Sequence, residues 1–373
     1  MERLHIEGRT DWERIVEGQG FVYHSIGGPY WIERVGYHFT PSEVAELEAA
    51  TNELHRLCME AVDHVIKNHR LSLFGIPSNY QNLIHDSWNK GDPSVYGRFD
   101  LRYDGKSAPK LYEYNADTPT SLLEAARIQA SWRSDLFENA TQFNSIEERL
   151  IDAWRIVGTQ YPTVHFSSVA GHSEDQGNAE YMRYLAARAG ISAHFLFVEE
   201  LTWDEQRKVF LDQNGNPIRA WFKLYPWEWI LEDPYAGFLN QGAMTCIEPA
   251  WKMILSSKAI LPILWELFPN HPNLLPSFFD ESSFNGRYVR KPIYGREGAN
   301  IGIHDGTMTQ YIPGPYGTLP CVYQQYCPLP RFSNLYTLVG SWVIGGKAAG
   351  IGIRESITLI SENRSRFIPH FVQ

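Results

Sequence analysis

Hydrophobic positions recur every three or four residues in several stretches of the first half of the chain, which is the period of an amphipathic helix. The longest stretch, residues 40–68, opens with a Thr-Pro-Ser cap signal and predicts a long helix. Residues 121–137 and 178–190 predict two further helices, and the second ends at a glycine, Gly190. The charged faces of these helices are typical of solvated surface.

Short apolar runs typical of strands flank the helix predicted at 178–190. Residues 162–171 and 192–201 read as strands on either side of it, a β–loop–α–β order that favours a parallel α/β unit. A further buried aromatic segment covers residues 221–233. From residue 285 onward, glycine-punctuated strands with short turns predict antiparallel pairing. We therefore expect a mixed α+β and α/β protein, with an α/β lobe ahead of a Gly-rich antiparallel C-terminal lobe.

The composition limits the classes of partner. The 373 residues carry a formal net charge of −10, which argues against general binding to nucleic acid or to anionic membranes. No apolar run is long enough to span a bilayer, and the N-terminal segment lacks the apolar centre of a signal peptide. The four cysteines form no CxxC pair, so we expect reduced, mostly buried thiols in a cytoplasmic protein.

Residues 97–122 predict a β-hairpin with an unusual set of polar residues. Asp and Asn are disfavoured in strands, yet Asp100 and Asn115 both lie in this one. A symmetric hairpin centred on residues 106–107 would place Asp100 opposite Glu113 and Arg98 opposite Asn115. Alternation assigns two groups of residues to one face each: Arg98, Asp100 and Arg102 on the first strand, and Leu111, Glu113 and Asn115 on the second.

Two opposed carboxylates repel each other unless a positive charge lies between them. Hard oxygen donors of this kind suit Mg²⁺, which commonly bridges protein ligands and nucleotide phosphates. The alternative is a surface hairpin in which Arg98 or Arg102 forms a cross-strand ion pair with Glu113. The hairpin by itself leaves both interpretations open.

Two lysines indicate a nucleotide site elsewhere in the chain. Lys291 ends a β-rich run and precedes the turn Gly295–Gly298, where backbone N–H groups can approach phosphate. The turn is not a Walker A motif and, by itself, is also typical of an ordinary hairpin. Lys258 lies just inside a predicted apolar helix, where a lysine either extends to solvent or serves a ligand.

Two other segments belong to the same hypothesis. The apolar residues after Lys258 are more typical of core than of an adenine pocket: Ile260, Leu261, Ile263 and Leu264. The segment "VYQQYCPLP" predicts a strand and hinge whose backbone reads an adenine edge. Arg354 lies on a Gly-rich, otherwise apolar strand, where a salt-bridged surface arginine is the alternative.

Read together, these segments resemble the glutathionylspermidine synthase family, whose synthetase part is a variant ATP-grasp fold. The resembling segments follow the family's order from about residue 90 to the end: "GRFD", "YEYNADTPTSL", "WFKLYPWEW", "SSKAILPILWELFPNHPNLL", "VRKPIYGREGANI", "YQQYCPLP" and "GIGIRES". The resemblance implies that residues 1–373 form one ATP-grasp-like synthetase without an amidase domain.

The resemblance also implies a role for each matching residue. Asp100, Glu113 and Asn115 match Mg²⁺ ligands, and Arg98 and Arg354 match arginines at the reacting carboxylate and the transferred phosphoryl group. Residues implied at the ATP site are Lys258, Lys291, Gly295, Arg296, Glu297, Gly298, Gln324 and Gln325. The implied reaction uses ATP and Mg²⁺ to turn a carboxylate into an acyl phosphate, which an amine then attacks to form an amide.

The substrates implied are a small acid and an amine. Thr118 and Thr120 retain hydroxyls where the family's glutathione-contacting stretch is Ser-rich, although Pro119 alters that loop. Glu174 and Asp175 either attract a polyamine cation or belong to a solvated, helix-capping loop. Because no amidase segment matches, we do not expect hydrolysis of the product. The alternative function is a non-catalytic, ATP-binding partner protein of the same fold. A cysteine hydrolase is a poorer alternative, because no cysteine of this sequence lies in a recognisable Cys/His setting.

Overall fold

The helices account for much of the N-terminal and central chain. A computed structural model describes residues 1–25, 27–284, 286–305, 307–360 and 365–373. The α-helices span Trp12–Glu17, Pro41–Lys67, Gln81–Lys90, Gln129–Leu136, Ile146–Gln160, Ser173–Arg188, Trp227–Ile230, Ala236–Leu239, Met253–Ser256 and Ile260–Leu267. One π-helical turn spans Glu124–Ile128, and 3₁₀ turns span Leu71–Phe74, Ser78–Tyr80, Val198–Glu200, Ala250–Lys252 and Glu281–Ser283. Within the described parts of the chain, no helix is long and apolar enough to cross a membrane.

The long helix predicted over residues 40–68 is confirmed as Pro41–Lys67. Its first turn is closed by a capping box, in which the Glu43 N–H donates to the Thr40 hydroxyl and the Thr40 N–H donates to the Glu43 carboxylate. These two bonds satisfy backbone donors that the helix itself leaves free. The apolar face is buried against the sheet that carries the predicted hairpin.

A four-stranded sheet confirms the predicted parallel α/β unit. Its strands, in spatial order, are Thr245–Ile247, Ala220–Leu224, Thr163–Ser168 and Ser192–Phe195, and all three pairings are parallel. The helix Ser173–Arg188 connects two of them and begins earlier than the predicted residue 178. Glu174 and Asp175 therefore lie in the first turn of a helix and not in a loop, which corrects that interpretation.

The predicted hairpin, Tyr96–Arg102 with Lys110–Asn115, forms one side of a six-stranded antiparallel sheet. The strand Leu335–Ile344 pairs with Tyr96–Arg102, and Lys347–Ser356 follows it. Arg366–Ile368 pairs with Lys347–Ser356 and forms the opposite edge of the sheet, and Arg331–Phe332 pairs with Leu335–Ile344 outside this strand order. C-terminal strands thus lie directly beside the hairpin, which places Arg354 near Asp100.

The remaining strands form three smaller sheets. An antiparallel five-stranded sheet has the order Ser277–Phe278, Cys321–Gln325, Tyr288–Pro292, Gly302–Asp305 and Thr307–Tyr311. A three-stranded sheet contains Glu2–His5, Val35–Phe39 and His370–Val372, and a two-stranded one contains Thr202–Asp204 and Val209–Leu211. The antiparallel pairing predicted beyond residue 285 is confirmed, and so is the mixed α and β class.

The predicted apolar helix after Lys258 begins two positions later, at Ile260. Lys258 therefore precedes the helix, and the prediction that it lies inside is wrong. The apolar residues that follow it are core, as predicted: Ile260, Leu261, Ile263 and Leu264 are all buried. All four cysteines are free; Cys58 and Cys246 are buried and the other two, Cys321 and Cys327, are half-buried.

Candidate functional site

A single cleft of about 390 Å³ lies where the hairpin, the five-stranded sheet and the parallel sheet meet. It brings together every site residue predicted from the sequence: Arg98, Asp100, Glu113, Asn115, Thr118, Thr120, Glu174, Asp175, Lys258, Lys291, Gly295, Arg296, Glu297, Gly298, Gln324, Gln325 and Arg354. Their sequence positions span most of the chain. The fold thus brings residues that are far apart in the sequence into the lining of one cleft.

The hairpin has the predicted register, with Asp100 opposite Glu113 and Arg98 opposite Asn115. A β-bulge follows, because Leu101 is opposite Leu111 and leaves Tyr112 as the extra residue. The bulge turns Leu111 into the core, so the predicted face shared by Leu111 and Glu113 is wrong. Tyr112 and Glu113 both line the cleft, and Leu111 does not.

Asp100 is held by two arginines from different strands. The Arg98 Nε donates to Asp100 Oδ1 at 2.9 Å, and the Arg354 Nη2 donates to Asp100 Oδ2 at 2.6 Å. Arg98 is itself buried and donates through Nη1 to the Thr120 carbonyl at 2.6 Å. Arg102, by contrast, pairs with Asp104 at 2.8 Å. The alternative of a surface hairpin with a cross-strand ion pair to Glu113 is therefore wrong, because Arg98 is buried and pairs with Asp100 on its own strand.

Glu113 faces two lysines across the cleft. The Lys258 Nζ lies 2.9 Å from Glu113 Oε2. Burial by itself would raise the pKa of Glu113, but the charges of Lys258 and Lys291 lower that pKa to about 2. Burial lowers the pKa of Lys291 to about 8 although Glu113 acts against it. The Lys291 Nζ donates to the Tyr112 carbonyl at 3.0 Å and to Gln324 Oε1 at 2.6 Å.

The donor set on the hairpin fits the chemistry of Mg²⁺. Asp100 and Glu113 offer carboxylate oxygens from adjacent strands, and the Asn115 amide lies 3.5 Å from Glu113 Oε1. Mg²⁺ is usually held by one or two carboxylates and substrate phosphates, not by a complete protein cage. No group of three or more His, Cys, Asp or Glu side chains suited to a metal is found among the described residues. The hairpin set has two carboxylates and one amide, so the magnesium assignment stays a prediction.

The predicted glycine turn joins the strands Tyr288–Pro292 and Gly302–Asp305. Positive φ angles at Glu297 (54°), Gly298 (73°) and Asn300 (59°) fold it tightly. The Lys258 Nζ donates to the Gly295 carbonyl at 3.0 Å, which ties the turn to the start of the apolar helix.

Arg296 connects the glycine turn to the opposite wall. Its Nη2 donates to the Thr118 hydroxyl at 2.8 Å, and its guanidinium lies 5.2 Å from the centre of the Trp229 ring. The same nitrogen is 3.7 Å from the Glu228 carboxylate. The predicted nucleotide segment and the predicted substrate segment are therefore in direct contact.

The two glutamines lie at the end of the strand Cys321–Gln325. Gln324 is buried, and its amide nitrogen donates to the Leu111 carbonyl at 3.1 Å while its oxygen accepts from Lys291. Gln325 is exposed, and its backbone N–H donates to the Pro276 carbonyl at 2.8 Å. Gln324 thus positions Lys291, and Gln325 lies at the outer edge of the cleft.

Three further acidic residues line the cleft: Glu174, Asp175 and Glu297. Burial, with the charge of Asp175 added, raises the pKa of Glu174, and burial likewise raises the pKa of Asp175. Burial also raises the pKa of Glu297, with a contribution from Asp175. Thr120 hydrogen-bonds to Glu174 and partly offsets the effect. The ionised forms of these three carboxylates are therefore poorly stabilised by the surrounding protein.

Several cleft residues were not predicted from the sequence: Tyr30, Asp117, Ser121, Glu228 and Trp229. Glu228 and Trp229 lie in the segment "WFKLYPWEW", so a signal for them was present. Asp117 accepts from the buried Lys223 Nζ at 2.6 Å and holds the end of the hairpin. Tyr30 comes from the N-terminal segment, where no sequence pattern indicated a site.

The chain is similar to a known protein family and to several named proteins. The family model described as glutathionylspermidine synthase preATP-grasp matches residues 3–373. A Haemophilus influenzae protein named as a putative acid–amine ligase is 38% identical, over 97% of this chain and 97% of its own length. Trypanothione synthetase from Crithidia fasciculata is 32% identical over 84% of this chain and 53% of its length.

The bifunctional glutathionylspermidine synthetase/amidase from Escherichia coli is 30% identical over 90% of this chain. This chain spans 59% of that relative's length, so the matched part is only a portion of the longer protein. These relatives are named as ligases or synthetases. The chain therefore belongs to the glutathionylspermidine synthase family and is an ATP-dependent ligase that forms amide bonds.

Proposed function

We propose that this protein joins the carboxylate of a small acid or peptide to an amine, with ATP and Mg²⁺, through an acyl phosphate. The observation that carries the proposal is the presence of groups of both charges in one cleft. The cleft is lined by Arg98, Arg354, Lys258 and Lys291, and also by Glu174 and Asp175. Two anions must meet in the first step of such a reaction, and an ammonium group must approach in the second.

The cationic side suits the first step. Lys258 and Lys291 are proposed to bind ATP phosphates, together with backbone N–H groups of the turn Gly295–Gly298, and all of these residues line the cleft. Arg98 and Arg354 are placed to hold the substrate carboxylate and the transferred phosphoryl group, because a guanidinium binds either one through two hydrogen bonds. Gln324 and Gln325, which also line the cleft, are proposed to lie beside the adenine.

Asp100, Glu113 and Asn115 are the residues that would hold Mg²⁺. The bound ion would neutralise phosphate charge and orient the phosphates. The oxygens of Asp100 and Glu113 accept from Arg98, Arg354 and Lys258, so the same cations lie next to the proposed metal site.

The acid is proposed to be glutathione or a related peptide, and the amine a polyamine or other amino compound. The names of the relatives support this choice of classes. The hydroxyls of Thr118 and Thr120 face the cleft on the side where Arg296 reaches across. Glu174 and Asp175 are proposed to bind the ammonium group. We further propose a cytoplasmic location, which would supply ATP and these metabolites.

ADP release, measured for a panel of peptides and short acids crossed with polyamines and amino acids, tests the proposal. We expect ADP release to require one acid and one amine together. The Asp100→Ala/Glu113→Ala variant should fold but lose at least about 100-fold in rate, because the phosphate charge is no longer neutralised. An Asp152→Ala/Glu180→Ala variant, which removes carboxylates at the protein surface, is the matched control.

Full ADP release by the Asp100→Ala/Glu113→Ala variant would contradict the metal assignment. ATP binding without ADP release across the whole panel would instead favour the second candidate function. That candidate is a non-catalytic, ATP-binding partner protein of the same fold. The complete set of charged residues in the cleft speaks against it, because a protein that only binds ATP does not need Arg98 and Arg354 at the reacting groups.

A further inference from the structure

A buried carboxyl group lies directly behind the cleft. Glu124 is 0% exposed and is the first residue of the π-helical turn Glu124–Ile128. Its Oε1 accepts a hydrogen bond from the Tyr30 hydroxyl at 2.7 Å. Its Oε2 has no hydrogen-bond partner in the parts of the chain that the structure describes. A buried carboxyl oxygen without a partner is costly and calls for an explanation.

Hydroxyl groups connect this carboxyl to the cleft. The Tyr30 hydroxyl is also 3.0 Å from the Ser121 hydroxyl, and both residues line the cleft. Ser121 has a φ of 66°, a left-handed conformation that serine rarely adopts. The next N–H, that of Leu122, donates to Asn178 Oδ1 at 2.8 Å and holds the turn in place. Three oxygens thus form a continuous path: Ser121 Oγ, Tyr30 Oη and Glu124 Oε1.

The open end of the path lies between the two charged sides of the cleft. Thr120, the residue before Ser121, accepts from Arg98 Nη1 at 2.6 Å through its carbonyl. Its side chain hydrogen-bonds to Glu174. The path therefore opens between the arginine assigned to the reacting carboxylate and the carboxylate assigned to the amine.

The surroundings of Glu124 set its titration. Burial raises the pKa of Glu124 to about 8, and the charge of Glu174 adds to the increase. The hydrogen bond from Tyr30 and the charge of Arg98 act in the opposite direction. Tyr23 also interacts with Glu124, and burial raises the pKa of Tyr23. Near neutral pH, Glu124 is therefore able both to accept a proton and to release one.

The proposed amide synthesis requires a proton acceptor. An alkylamine reaches the cleft as an ammonium ion, and its nitrogen must lose a proton before its electron pair can attack the acyl phosphate. Of the cleft residues, Lys258, Lys291, Arg98 and Arg354 are cations and do not serve as bases in their charged forms. Glu174 and Asp175 are already assigned to the ammonium group as its counterions.

We propose that Glu124 accepts the ammonium proton of the amine through Ser121 and Tyr30, an inference that rests on the proposed function. The ammonium proton passes to Ser121 Oγ as the Ser121 proton passes to Tyr30 and the Tyr30 proton to Glu124. The freed nitrogen then forms the C–N bond, the C–O bond to phosphate breaks, and the second nitrogen proton leaves with phosphate. Glu124 returns its proton to solvent along the same path.

The test compares a protonated nucleophile with an unprotonated one. Glutathione and ATP are supplied with either spermidine, which is protonated at pH 7, or hydroxylamine, which is not. Amide and hydroxamate are measured separately. Glu124→Gln and Tyr30→Phe should lower amide formation by about 100-fold, the usual contribution of general base catalysis, and leave hydroxamate formation unchanged. Tyr23→Phe removes a neighbouring hydroxyl outside the path and should change neither rate.

Equal losses with both nucleophiles in Glu124→Gln and Tyr30→Phe would overturn the proposal, and so would no loss with spermidine. If the wild-type protein forms neither product, the proposed substrates are wrong, and infrared spectroscopy decides the inference instead. A protonated-carboxyl band that titrates near pH 8 and is absent from Glu124→Gln supports the proton acceptor. Its absence from the wild-type spectrum between pH 5 and pH 9 refutes it.

Discussion

The cleft contains two groups of carboxylates, which differ in whether they form ion pairs with neighbouring cations. On the paired side, defined by Asp100 and Glu113 with their cations, each carboxylate accepts from an arginine or a lysine. On the acidic side, defined by Glu174, Asp175 and Glu297, no ion pair is found for any of the three within the described chain. Burial opposes ionisation on both sides, so the difference comes from the neighbouring cations.

The comparison shows how one cleft can handle ions of both signs. On the paired side the pKa of Glu113 is lowered to about 2, and the carboxylate stays charged next to its lysines. On the acidic side the pKa values of Glu174 and Asp175 are raised, because burial outweighs the charges of Arg354 and Arg296, which act in the opposite direction. An arriving cation would remove that penalty. The acidic side is thus incomplete without a positively charged ligand.

The largest effect is expected from the paired side. Arg354→Ala should lower ADP release at saturating ATP by about 1000-fold, because an arginine at the transferred phosphoryl group acts mainly in the transition state. ATP affinity, measured by calorimetry, should stay close to that of the wild type. Arg366→Ala, which removes an exposed arginine on the neighbouring strand, is the control and should change neither quantity. An unchanged rate for Arg354→Ala would remove its proposed role.

A smaller, different effect is expected from the acidic side. The Glu174→Gln/Asp175→Asn variant should raise the KM for the amine by roughly 10- to 100-fold, because charged hydrogen bonds to the ammonium group are lost. The KM for ATP should be unchanged. Glu180→Gln, on the exposed face of the same helix, is the matched control. If both KM values rise equally, the division of the cleft into two sides is wrong.

The smallest effect concerns the pH dependence of the free energy of unfolding, which we expect to depend on Glu124. Burial raises the folded-state pKa of Glu124 from 4.5 to about 8, so between these values the folded protein keeps a proton that the unfolded chain has lost. The free energy of unfolding of the wild type therefore decreases as pH rises through this window, and that of Glu124→Gln does not. We expect the stability of Glu124→Gln relative to the wild type to rise by about 1 kcal/mol for each pH unit between pH 5 and pH 8.

Urea unfolding of both proteins at several pH values measures this difference, with Glu180→Gln as an exposed control. A constant difference across the window would mean that Glu124 is ionised in the folded protein. A difference of opposite sign would place Glu124 with the residues of the paired side, where neighbouring cations lower the pKa.

The sequence predicted local features of the site with accuracy. Strand alternation and the length of the turn were sufficient to place Asp100 opposite Glu113, because hairpin register depends on a short segment. The bulge at Tyr112 was not predicted, since nothing in the alternation distinguishes a bulged strand from a regular one. The position of Lys258 was also misjudged, because an apolar run does not mark where its helix begins.

Features that depend on distant packing were beyond the sequence. The strand Leu335–Ile344 lies beside the hairpin through pairing that no local pattern specifies. Tyr30 and Glu124 meet only because the N-terminal segment packs on the turn after the hairpin. A glutamate within the apolar run "SLLEAAR" was a signal of an unusual buried acid, but it did not indicate a partner. The family resemblance supplied the roles that spacing could not.

The salt bridges of the paired side mean that an incoming anion competes with the protein's own carboxylates for the same cations. An anion that binds Lys258 must displace Glu113, and one that binds Arg354 must displace Asp100. Each exchange releases a negative charge next to the newcomer, which opposes the binding of a bare anion. An anion that arrives together with its own divalent cation does not meet this opposition. We therefore expect the cleft to bind an anion together with a divalent cation more tightly than it binds the anion alone.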